Sequence, residues 1–239
     1  MKTLKERYEK ALGNRQTILD KARKASKLTI PSLIPDENSK NQNFYEPNQS
    51  IGSNGINYLA SKIAMTMLPP NSPFFRYIGD SIKLKQEAEL EGIDPIELES
   101  EFNKNLSLLA EYVKDSIEES NDRVTVGEAL KHVITCGNCL LVDDKDKNLK
   151  YYPLSRYIVK RDYHGNVLYI ITKETIGFQV LPEEIQEKIR NKHVEEKEIE
   201  VKEFDLFTVF ERKRKNKNSK YFWNVYQECE EIIIDSTKG

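Results

Sequence analysis

Cysteine and tryptophan are scarce in this chain of 239 residues, which contains three cysteines and one tryptophan. An odd number of cysteines argues against a disulfide framework and indicates synthesis in a reducing compartment, the cytosol. Long apolar runs are missing too, since purely apolar stretches such as residues 232–234 are far too short to cross a bilayer. Residues 1–12 are charged and amphipathic, without the apolar centre of a signal peptide. The sequence therefore predicts neither a disulfide-stapled secreted protein nor a membrane protein.

An excess of one charge is also missing, because 37 lysines and arginines face 39 aspartates and glutamates, a net charge of −2. No global field therefore draws the chain towards nucleic acid or a membrane surface. Catalytic signatures are equally sparse. The sequence has no Gly-x-x-x-x-Gly-Lys phosphate loop, and its three histidines are not spaced from a serine or cysteine as in a catalytic triad. We predict that the protein is not an enzyme and uses no cofactor.

The chain contains enough apolar residues for a sizeable core, because 38% of its residues are apolar and 32% are charged. A chain of this length forms one large domain or two small ones and buries roughly 70–75% of its unfolded surface. Helical periodicity dominates its first part and strand-like alternation its second, which is typical of an α+β fold. We predict about three long N-terminal helices, then an antiparallel strand meander with hairpins and one short helix. The predicted parts are residues 1–136, mainly helical, and residues 137–239, mainly β.

Capping signals place several of these elements. Asp94, Pro95 and Glu97 form a capping box with proline at the first helical position, which opens a long helix. Thr125 and Glu128 predict a second capping box that opens a shorter helix. The predicted helices lie at residues 4–26, 56–67, 95–119, from 125 towards 136, and 182–191. The predicted strands lie at residues 139–142, 149–152, 157–161, 167–172, 199–212, 221–226 and 231–234.

The most informative segment is residues 45–76. Apolar side chains recur there on one helical face, and three prolines end the helix because proline lacks an amide hydrogen. The stripe is Ile56, Leu59, Ala60, Ile63, Ala64 and Met67, and the prolines are Pro69, Pro70 and Pro73. On periodicity alone, an ordinary core helix with a proline stop is the simpler interpretation. Gly52 and Gly55 are small enough to let another backbone approach, and Phe74 and Phe75 form a large apolar pair after the prolines. These four residues are candidate packing or subunit contacts.

The sequence Cys136-Gly137-Asn138-Cys139 spaces two cysteines as in zinc and redox sites, and His132 lies one helical turn earlier. A tetrahedral zinc site needs four ligands, and Cys229 lies apart among acidic residues. A redox pair gains from the N-terminus of a helix, whereas this pair lies where a helix ends and a strand begins. Small buried residues at a helix C-terminus are the favoured interpretation, and we predict no metal site. A thiol or zinc protein built on this pair stays a third alternative for function.

Residues 144–148 begin like the calcium-binding loop of an EF-hand. Leu149 stands where that loop needs glycine, and Ser155 stands where it needs a bidentate glutamate. A polar hairpin turn is therefore the prediction for this segment.

A run of basic residues at 212–220 precedes three aromatic residues at 221–223. Basic side chains beside aromatic rings bind phosphates and stack on bases in nucleic-acid-binding proteins. A solvated hairpin tip has the same composition, because lysines protect strand edges. The candidate DNA contacts are Arg212, Lys213, Arg214, Lys215 and Lys217. A small nucleic-acid-binding module that uses residues 212–223 is the alternative function.

Four blocks of motifs follow one another along the chain. They are Gln49-Ser-Ile-Gly with Leu59-Ala-Ser-Lys, Pro70-Asn-Ser-Pro-Phe-Phe-Arg, Arg123-Val-Thr with Gly137-Asn, and Leu154-Ser-Arg-Tyr with Gly165-Asn-Val. Each block alone is weak, but the ordered set resembles the portal, or head-to-tail connector, proteins of short-tailed phages (podoviruses). The resemblance extends over nearly the whole chain and corresponds to the N-terminal wing portion of those proteins.

The resemblance implies a structural protein of the virion, synthesised in the host cytoplasm and located at one vertex of the capsid. Such portals form homo-oligomeric rings of twelve subunits. Double-stranded DNA enters through the ring during packaging and leaves through it during ejection. The implied partners are further copies of the chain, the major capsid protein, the terminase and the tail adaptor protein, with no membrane among them.

Portal proteins of this kind are considerably longer than 239 residues. The resemblance implies that residues 1–136 and 137–239 form the helical and β parts of a wing, and that stem, clip, tunnel loop and crown are absent from this chain. No channel-lining or motor-docking residue is therefore transferred from the family. A fragment, a truncated gene product and the first part of a split portal are all compatible with this pattern.

Overall fold

The computed structural model describes residues 3–34, 49–70, 72–143, 149–192, 199–214 and 221–238. Within them the chain forms helices first and an antiparallel sheet later, which confirms the predicted α+β class. The α-helices are α1 (Leu4–Gly13), α2 (Gln16–Leu28), α3 (Ile51–Met67), α4 (Ser81–Glu91), α5 (Pro95–Glu119), α6 (Asp122–Cys136) and α7 (Glu183–Lys192). The strands are β1 (Leu140–Asp143), β2 (Leu149–Tyr152), β3 (Tyr157–Arg161), β4 (Val167–Gly177), β5 (Glu203–Lys213), β6 (Phe222–Cys229) and β7 (Ile232–Lys238). Among the helices of these described residues, none combines the length and the apolar content that crossing a bilayer requires.

The chain divides into two compact units. The sheet unit contains Met1–Lys27, Pro31–Tyr45 and Tyr152–Gly239, and the helical unit contains Leu28–Ile30 and Glu46–Tyr151. Neither unit is therefore one continuous stretch of sequence. The first helices belong to the sheet unit although they precede the helical unit in the chain. The assignment of residues 1–136 and 137–239 to two parts of a portal wing stays a prediction.

The sheet unit is built on five antiparallel strands in the order β3-β4-β5-β6-β7, so each strand pairs with its neighbour in sequence. The predicted hairpin and the predicted meander are both confirmed by this order. The central strands β4 and β5 are the longest, and their pairing runs from Tyr169 opposite Glu211 to Gly177 opposite Glu203. A separate two-stranded sheet joins β1 and β2, as predicted.

Helices cover both faces of the five-stranded sheet. Side chains alternate between the two faces along a strand, so two residues of β5 pack with α7 on one face and two others pack with α1 on the opposite face. The cluster with α7 contains Phe178, Leu181, Ile185, Ile189, Phe204, Leu206 and Cys229. The cluster with α1 contains Leu4, Tyr8, Ile158, Ile171, Phe207 and Val209. The sheet is therefore the middle of three layers, with one apolar core on each side.

Polar contacts fix the first helices on the sheet. The hydroxyl of Tyr8 donates a hydrogen bond of 3.0 Å to the carbonyl of Ser155, and its ring lies 5.5 Å from that of Phe207. Arg15 donates from Nη1 to the carbonyl of Tyr157 at 2.8 Å, and its guanidinium carbon lies 5.2 Å from the centre of the Tyr157 ring. These contacts satisfy carbonyl groups at the start of β3 while they hold α1 in place.

In the helical unit, α3 packs against α6 and α4 packs against α5. The side chains buried there are mostly small. Among the described residues of this unit they are Ala60, Leu84, Ala88, Ala110, Ala129 and His132. Large apolar side chains stay exposed, such as Tyr58 at 65%, Leu108 at 56% and Tyr112 at 74%. The helices of this unit therefore meet closely but leave much of their apolar surface uncovered.

One predicted helix is two helices in the structure. The sequence predicts a continuous helix over residues 4–26, whereas α1 ends at Gly13 and α2 begins at Gln16. Glycine followed by asparagine disfavours the helix interior, and the N–H of Asn14 closes the last turn on the Lys10 carbonyl at 3.2 Å. The break places Arg15 between the helices, where it reaches the sheet.

The start of α6 also differs from the prediction. Thr125 and Glu128 lie inside the helix, because α6 begins one turn earlier, at Asp122. The hydroxyl of Ser120 accepts a hydrogen bond of 3.2 Å from the Asp122 N–H and satisfies a donor of the first turn. Glu128 instead forms an ion pair of 2.6 Å with Lys131. The predicted capping box was therefore wrong, since an upstream serine supplies the acceptor.

Candidate functional site

The apolar stripe of α3 is only partly buried. Ala60 is buried, but Leu59 and Met67 are 45% and 53% exposed. The helix ends at Met67, and the N–H of Leu68 closes its last turn on the Ala64 carbonyl at 2.8 Å, which confirms the predicted proline stop. The described part of the chain therefore leaves part of this face uncovered.

Gly52 and Gly55 of α3 have different surroundings. A Cβ atom at Gly52 would lie 2.6 Å from the carbonyl oxygen of Leu28, closer than such atoms approach, and would also lie a tight 3.2 Å from the Cα of Thr29. Glycine at this position therefore lets α3 pack directly on the backbone at Leu28–Ile30. A Cβ atom at Gly55 would meet nothing within 4 Å among the described residues. Close packing inside the helical unit thus needs the first glycine and not the second.

Phe74 and Phe75 belong to a run of aromatic contacts after the prolines. The rings of Phe74 and Phe75 meet edge to face with centroids 5.0 Å apart, and the ring of Tyr77 lies 5.4 Å from that of Phe75. Phe74 is 44% exposed. Edge-to-face contact stabilises such rings, and here it leaves aromatic surface open to solvent.

Arg123 connects the end of α3 with two other helices. Its Nη1 donates to the carbonyl of Leu68, and its Nη2 lies 3.3 Å from Oε1 of Glu118. Carbonyls at a helix C-terminus lack partners within the helix, so this arginine satisfies one of them. Motif spacing singled out Arg123 but did not show that its role is to join helices.

The two cysteines of the Cys-x-x-Cys sequence flank the C-terminus of α6, which ends at Cys136 and is capped by Gly137 with φ of 80°. Burial raises the pKa of Cys136 to about 11, and the nearby Cys139 adds to the rise. The Cys136 thiol is therefore protonated near neutral pH, unlike the thiolate of a reactive cysteine. Within the described ranges, no three or more His, Cys, Asp or Glu side chains lie together as metal ligands would. Residues 144–148, compared with an EF-hand above, lie outside the described residues.

His132 is a buried residue of the helical unit that sequence reasoning treated only as a candidate ligand. It is 3% exposed, and its Nδ1 atom has no hydrogen-bond partner among the described residues. Its ring lies 5.3 Å from the ring of Tyr151. Burial lowers the pKa of His132; the Glu128 carboxylate opposes this effect and the Lys131 ammonium adds to it. The imidazole is thus held neutral inside a packed helix pair.

Two arginines of the basic run surround one aromatic ring at the β5-β6 hairpin. The guanidinium carbons of Arg212 and Arg214 lie 3.9 Å and 5.2 Å from the centre of the Tyr221 ring. Arg212 pairs in register with Trp223, which is 40% exposed. Cation–π contacts hold these side chains together and leave their outer edges open.

The lysines of the basic run are placed differently. Nζ of Lys213 lies 3.0 Å from Oε2 of Glu211, so part of its charge is matched within β5. Lys215 and Lys217 lie outside the described residues. The structure therefore brings together two arginines and aromatic rings, which residue order alone did not show.

A cleft of about 130 Å³ in the sheet unit was not predicted. It is lined by Thr3, Lys5, Lys192, Asp205, Phe207, Glu228, Glu230 and Glu231. Lys192 donates from Nζ to the Glu230 carbonyl at 2.7 Å and lies 3.5 Å from Oε2 of Glu231. These two glutamates form the turn between β6 and β7 with φ of 49° and 68°, in the left-handed region. Lys192 therefore stabilises a turn whose backbone conformation is unfavourable. Burial, together with the nearby charge of Glu231, raises the pKa of Glu228, which also lines the cleft.

Comparison with known proteins supplies the family. A family model described as bacteriophage head to tail connecting protein matches residues 1–236. This chain belongs to that family. The match covers both units, and it confirms the resemblance drawn from the four blocks of motifs. The family description is that of a structural, connecting protein.

Named relatives in this family of head to tail connecting proteins are portal proteins of phages. The portal protein of Enterobacteria phage T3 is 31% identical over 238 residues, which are 98% of this chain and 42% of that protein. The portal protein of Escherichia phage T7 is 32% identical over 207 residues, or 84% of this chain and 37% of that protein. The portal protein of Enterobacteria phage SP6 is 28% identical over 166 residues, or 69% of this chain and 31% of that protein. The chain thus spans well under half the length of the relatives it matches, and these comparisons give no support to a small nucleic-acid-binding module.

Proposed function

We propose that this chain forms part of a homo-oligomeric portal ring of twelve subunits at one vertex of the capsid. Double-stranded DNA passes through the ring during packaging and ejection. The ring contacts the major capsid protein, docks the terminase during packaging, and later docks the tail adaptor protein. The observation that carries the proposal is the match to head to tail connecting proteins over residues 1–236.

The uncovered surface of the helical unit supports an assembled state. Monomeric soluble proteins rarely expose large apolar patches, and such patches mark sites of contact with other proteins. Tyr58, Leu108 and Tyr112 are each more than half exposed. Subunit contacts in a ring would cover side chains of this kind.

The charge of the chain suits a conduit better than a DNA clamp. Each lysine or arginine that neutralises a phosphate adds salt-dependent affinity, and many such contacts would hold the DNA in place. The net charge of −2 provides no general attraction for phosphates. Translocation through a ring also needs no bond chemistry from the ring itself.

Individual residues take three roles in this proposal. Gly52 allows close packing inside the helical unit, whereas Gly55, Phe74 and Phe75 contribute to contacts between subunits. The basic cluster at the β5-β6 hairpin touches passing DNA. Its members are Arg212, Lys213, Arg214, Lys215 and Lys217. Residues 1–136 and 137–239 form the helical and β parts of the portal wing.

Sedimentation velocity and negative-stain electron microscopy of the 239-residue chain test assembly. We expect a large species with ring-shaped particles, whose fraction rises with protein concentration. A chain that stays strictly monomeric at about 100 µM would contradict the proposal, because mass action should favour assembly there.

Mobility of short duplex DNA tests the proposed DNA contact. Changing Arg212, Lys213, Arg214 and Lys215 to alanine should weaken an already weak, salt-sensitive interaction. Unchanged binding in this variant would remove the basic cluster from the proposal while leaving the ring intact.

A further inference from the structure

We propose that the outward side of α5 binds the outward side of α2 in a neighbouring copy of this chain. The contact rests on the ring proposed above and names the surfaces that would close it. The acidic face of α5 is defined by Glu97, Glu101, Leu108, Glu111, Tyr112 and Asp115. The basic face of α2 is defined by Ile18, Lys21 and Lys24.

The acidic face follows from helical spacing. Its residues recur at intervals of three, four and seven, so they lie along one side of α5, and all are exposed. Leu108 and Tyr112 form an apolar centre one turn apart, with exposures of 56% and 74%. Carboxylates lie on both sides of this centre, and Lys104 is the one cation that shares the face. The whole helix carries seven acidic residues and two lysines, a net charge of −5.

The rest of α5 shows why this side is the one left for a partner. Ala110 is buried on the opposite side, where α5 packs against α4 and α6. Leu108 and Tyr112 therefore lie on the side of the helix that its own unit does not cover. An acidic ring around an apolar centre repels DNA phosphates, so the expected occupant is a protein surface of positive charge.

The basic face of α2 has the matching character. This helix buries Leu19 and Ala22 within the sheet unit, while Ile18 is 53% exposed and Lys21 and Lys24 are exposed beside it. The helix carries four basic residues and one acidic residue, a net charge of +3. The acidic residue, Asp20, lies 3.4 Å from Nη1 of Arg23, so Arg23 matches part of its charge.

The two faces complement each other in charge, and each contains apolar surface. Because they are different surfaces of the same chain, their contact between copies is heterologous, and a heterologous contact closes into a ring when its rotation allows. The attraction between exposed charges falls as salt screens it. Assembly through these faces should therefore weaken at high ionic strength.

Charge reversal tests the contact in the 239-residue chain. Lys21→Glu with Lys24→Glu, and separately Glu101→Lys with Glu111→Lys, should each weaken assembly by about tenfold at low salt. Lys83→Glu with Lys85→Glu is the matched control, because these exposed lysines lie on α4, outside both faces. The control should assemble like the unmodified chain.

Mixing the two reversed variants separates a contact between copies from one within a chain. In an alternating ring, every α2–α5 contact would again join opposite charges, so an equimolar mixture should assemble more strongly than either variant alone. A contact within one chain would not be restored by mixing.

The outcomes bear separately on the two proposals. If the unmodified chain forms rings and both reversed variants form them equally well, the α2–α5 contact is wrong and the ring proposal stands. Failure of the mixture to assemble, while each variant keeps its helical circular dichroism, also overturns the contact. If the unmodified chain does not assemble at all, both proposals fail.

Discussion

In the sheet unit, large apolar side chains leave β5 on both sides and are buried under α1 and α7, whereas the helical unit buries alanines and exposes its large side chains. Burying a large apolar side chain stabilises a fold by roughly 1.5–3 kcal/mol, several times what an alanine methyl contributes. The sheet unit therefore contains its own source of stability. Asp80 and Asp94 cap α4 and α5, but the helical unit has little buried apolar area, so much of its stability is expected to come from surfaces outside it.

If copies of the chain assemble as proposed, this contrast would connect assembly with the folding of the helical unit. Apolar side chains such as Leu108 and Tyr112 are exposed to water in the single chain, and covering them with a partner would lower the free energy. Contacts between copies would then stabilise the helical unit more than the sheet unit. Four predictions would break or sharpen this contrast.

The largest effect is expected from truncating one aromatic side chain in each unit. Phe178→Ala removes a fully buried ring from the core beneath α7 and should destabilise the sheet unit by about 3–5 kcal/mol. Tyr112→Ala removes an exposed ring and should change stability by no more than about 0.5 kcal/mol in the dissociated chain. Hydrogen exchange in dilute urea measures each unit separately. Equal costs for the two changes would end the contrast.

A smaller effect is expected at the two glycines of α3. Gly52→Ala places a methyl group 2.6 Å from the Leu28 carbonyl and should cost about 1–3 kcal/mol, because backbone must move. Gly55→Ala meets open space and should stabilise the helix by about 0.5–1 kcal/mol. Thermal unfolding of the helical unit should show opposite signs. A gain in stability from both changes would show that α3 does not depend on close approach at Gly52.

Acid should weaken the helical unit through His132. Burial lowers its pKa from the ordinary value of 6.5, so below that pH the unfolded chain takes up a proton that the folded chain resists. Stability is therefore fully present above pH 6.5 and declines as pH falls towards the lower folded pKa. His132→Gln should flatten the decline measured by urea unfolding between about pH 7.5 and 5.5. His164→Gln changes a histidine of the sheet unit and is the control for the slope of the helical unit; loss of slope in that control would assign the effect elsewhere.

The smallest effect is expected at the β6-β7 turn of the sheet unit. Glu230→Asn with Glu231→Gly suits the left-handed backbone and should stabilise the unit by about 0.5–1 kcal/mol. Glu187→Gly in the interior of α7 is the matched control and should cost about 1 kcal/mol. Urea unfolding compares the two. A loss of stability in the turn variant would mean that the Lys192 contact with Glu231 outweighs the strain.

Elements with local signals were predictable from sequence. α5 was foreseen because Asp94 caps it, and the structure shows its carboxylate accepting from the Ile96 N–H at 2.9 Å. α4 was not foreseen, because its apolar residues form no continuous stripe: Leu84 is buried while Ile82 and Leu90 are exposed. Packing against α5 and the Asp80 cap stabilise it, and the first of these depends on residues outside α4 itself.

The candidate surfaces divide in the same way. The glycines and the phenylalanine pair were visible as motifs, but only the structure distinguishes the crowded Gly52 from the open Gly55. The turn at Glu230 and Glu231 contains no glycine or asparagine that would predict its left-handed backbone. Pairing of the strands on either side forces that conformation. Charge on α2 and α5 could be counted from sequence, whereas which side of each helix stays uncovered depends on the packing of its own unit.

The discontinuous sheet unit has a consequence for how the protein is made. Tyr8 is synthesised almost two hundred residues before Phe207, the partner of its ring. At ordinary translation rates this separation lasts on the order of ten to forty seconds. During that interval α1 has no sheet to pack against. Water solvates its polar side chains, and its apolar side chains stay exposed until β3–β5 are synthesised. Synthesis order therefore places the whole helical unit ahead of the strands that complete the outer layers of the sheet unit.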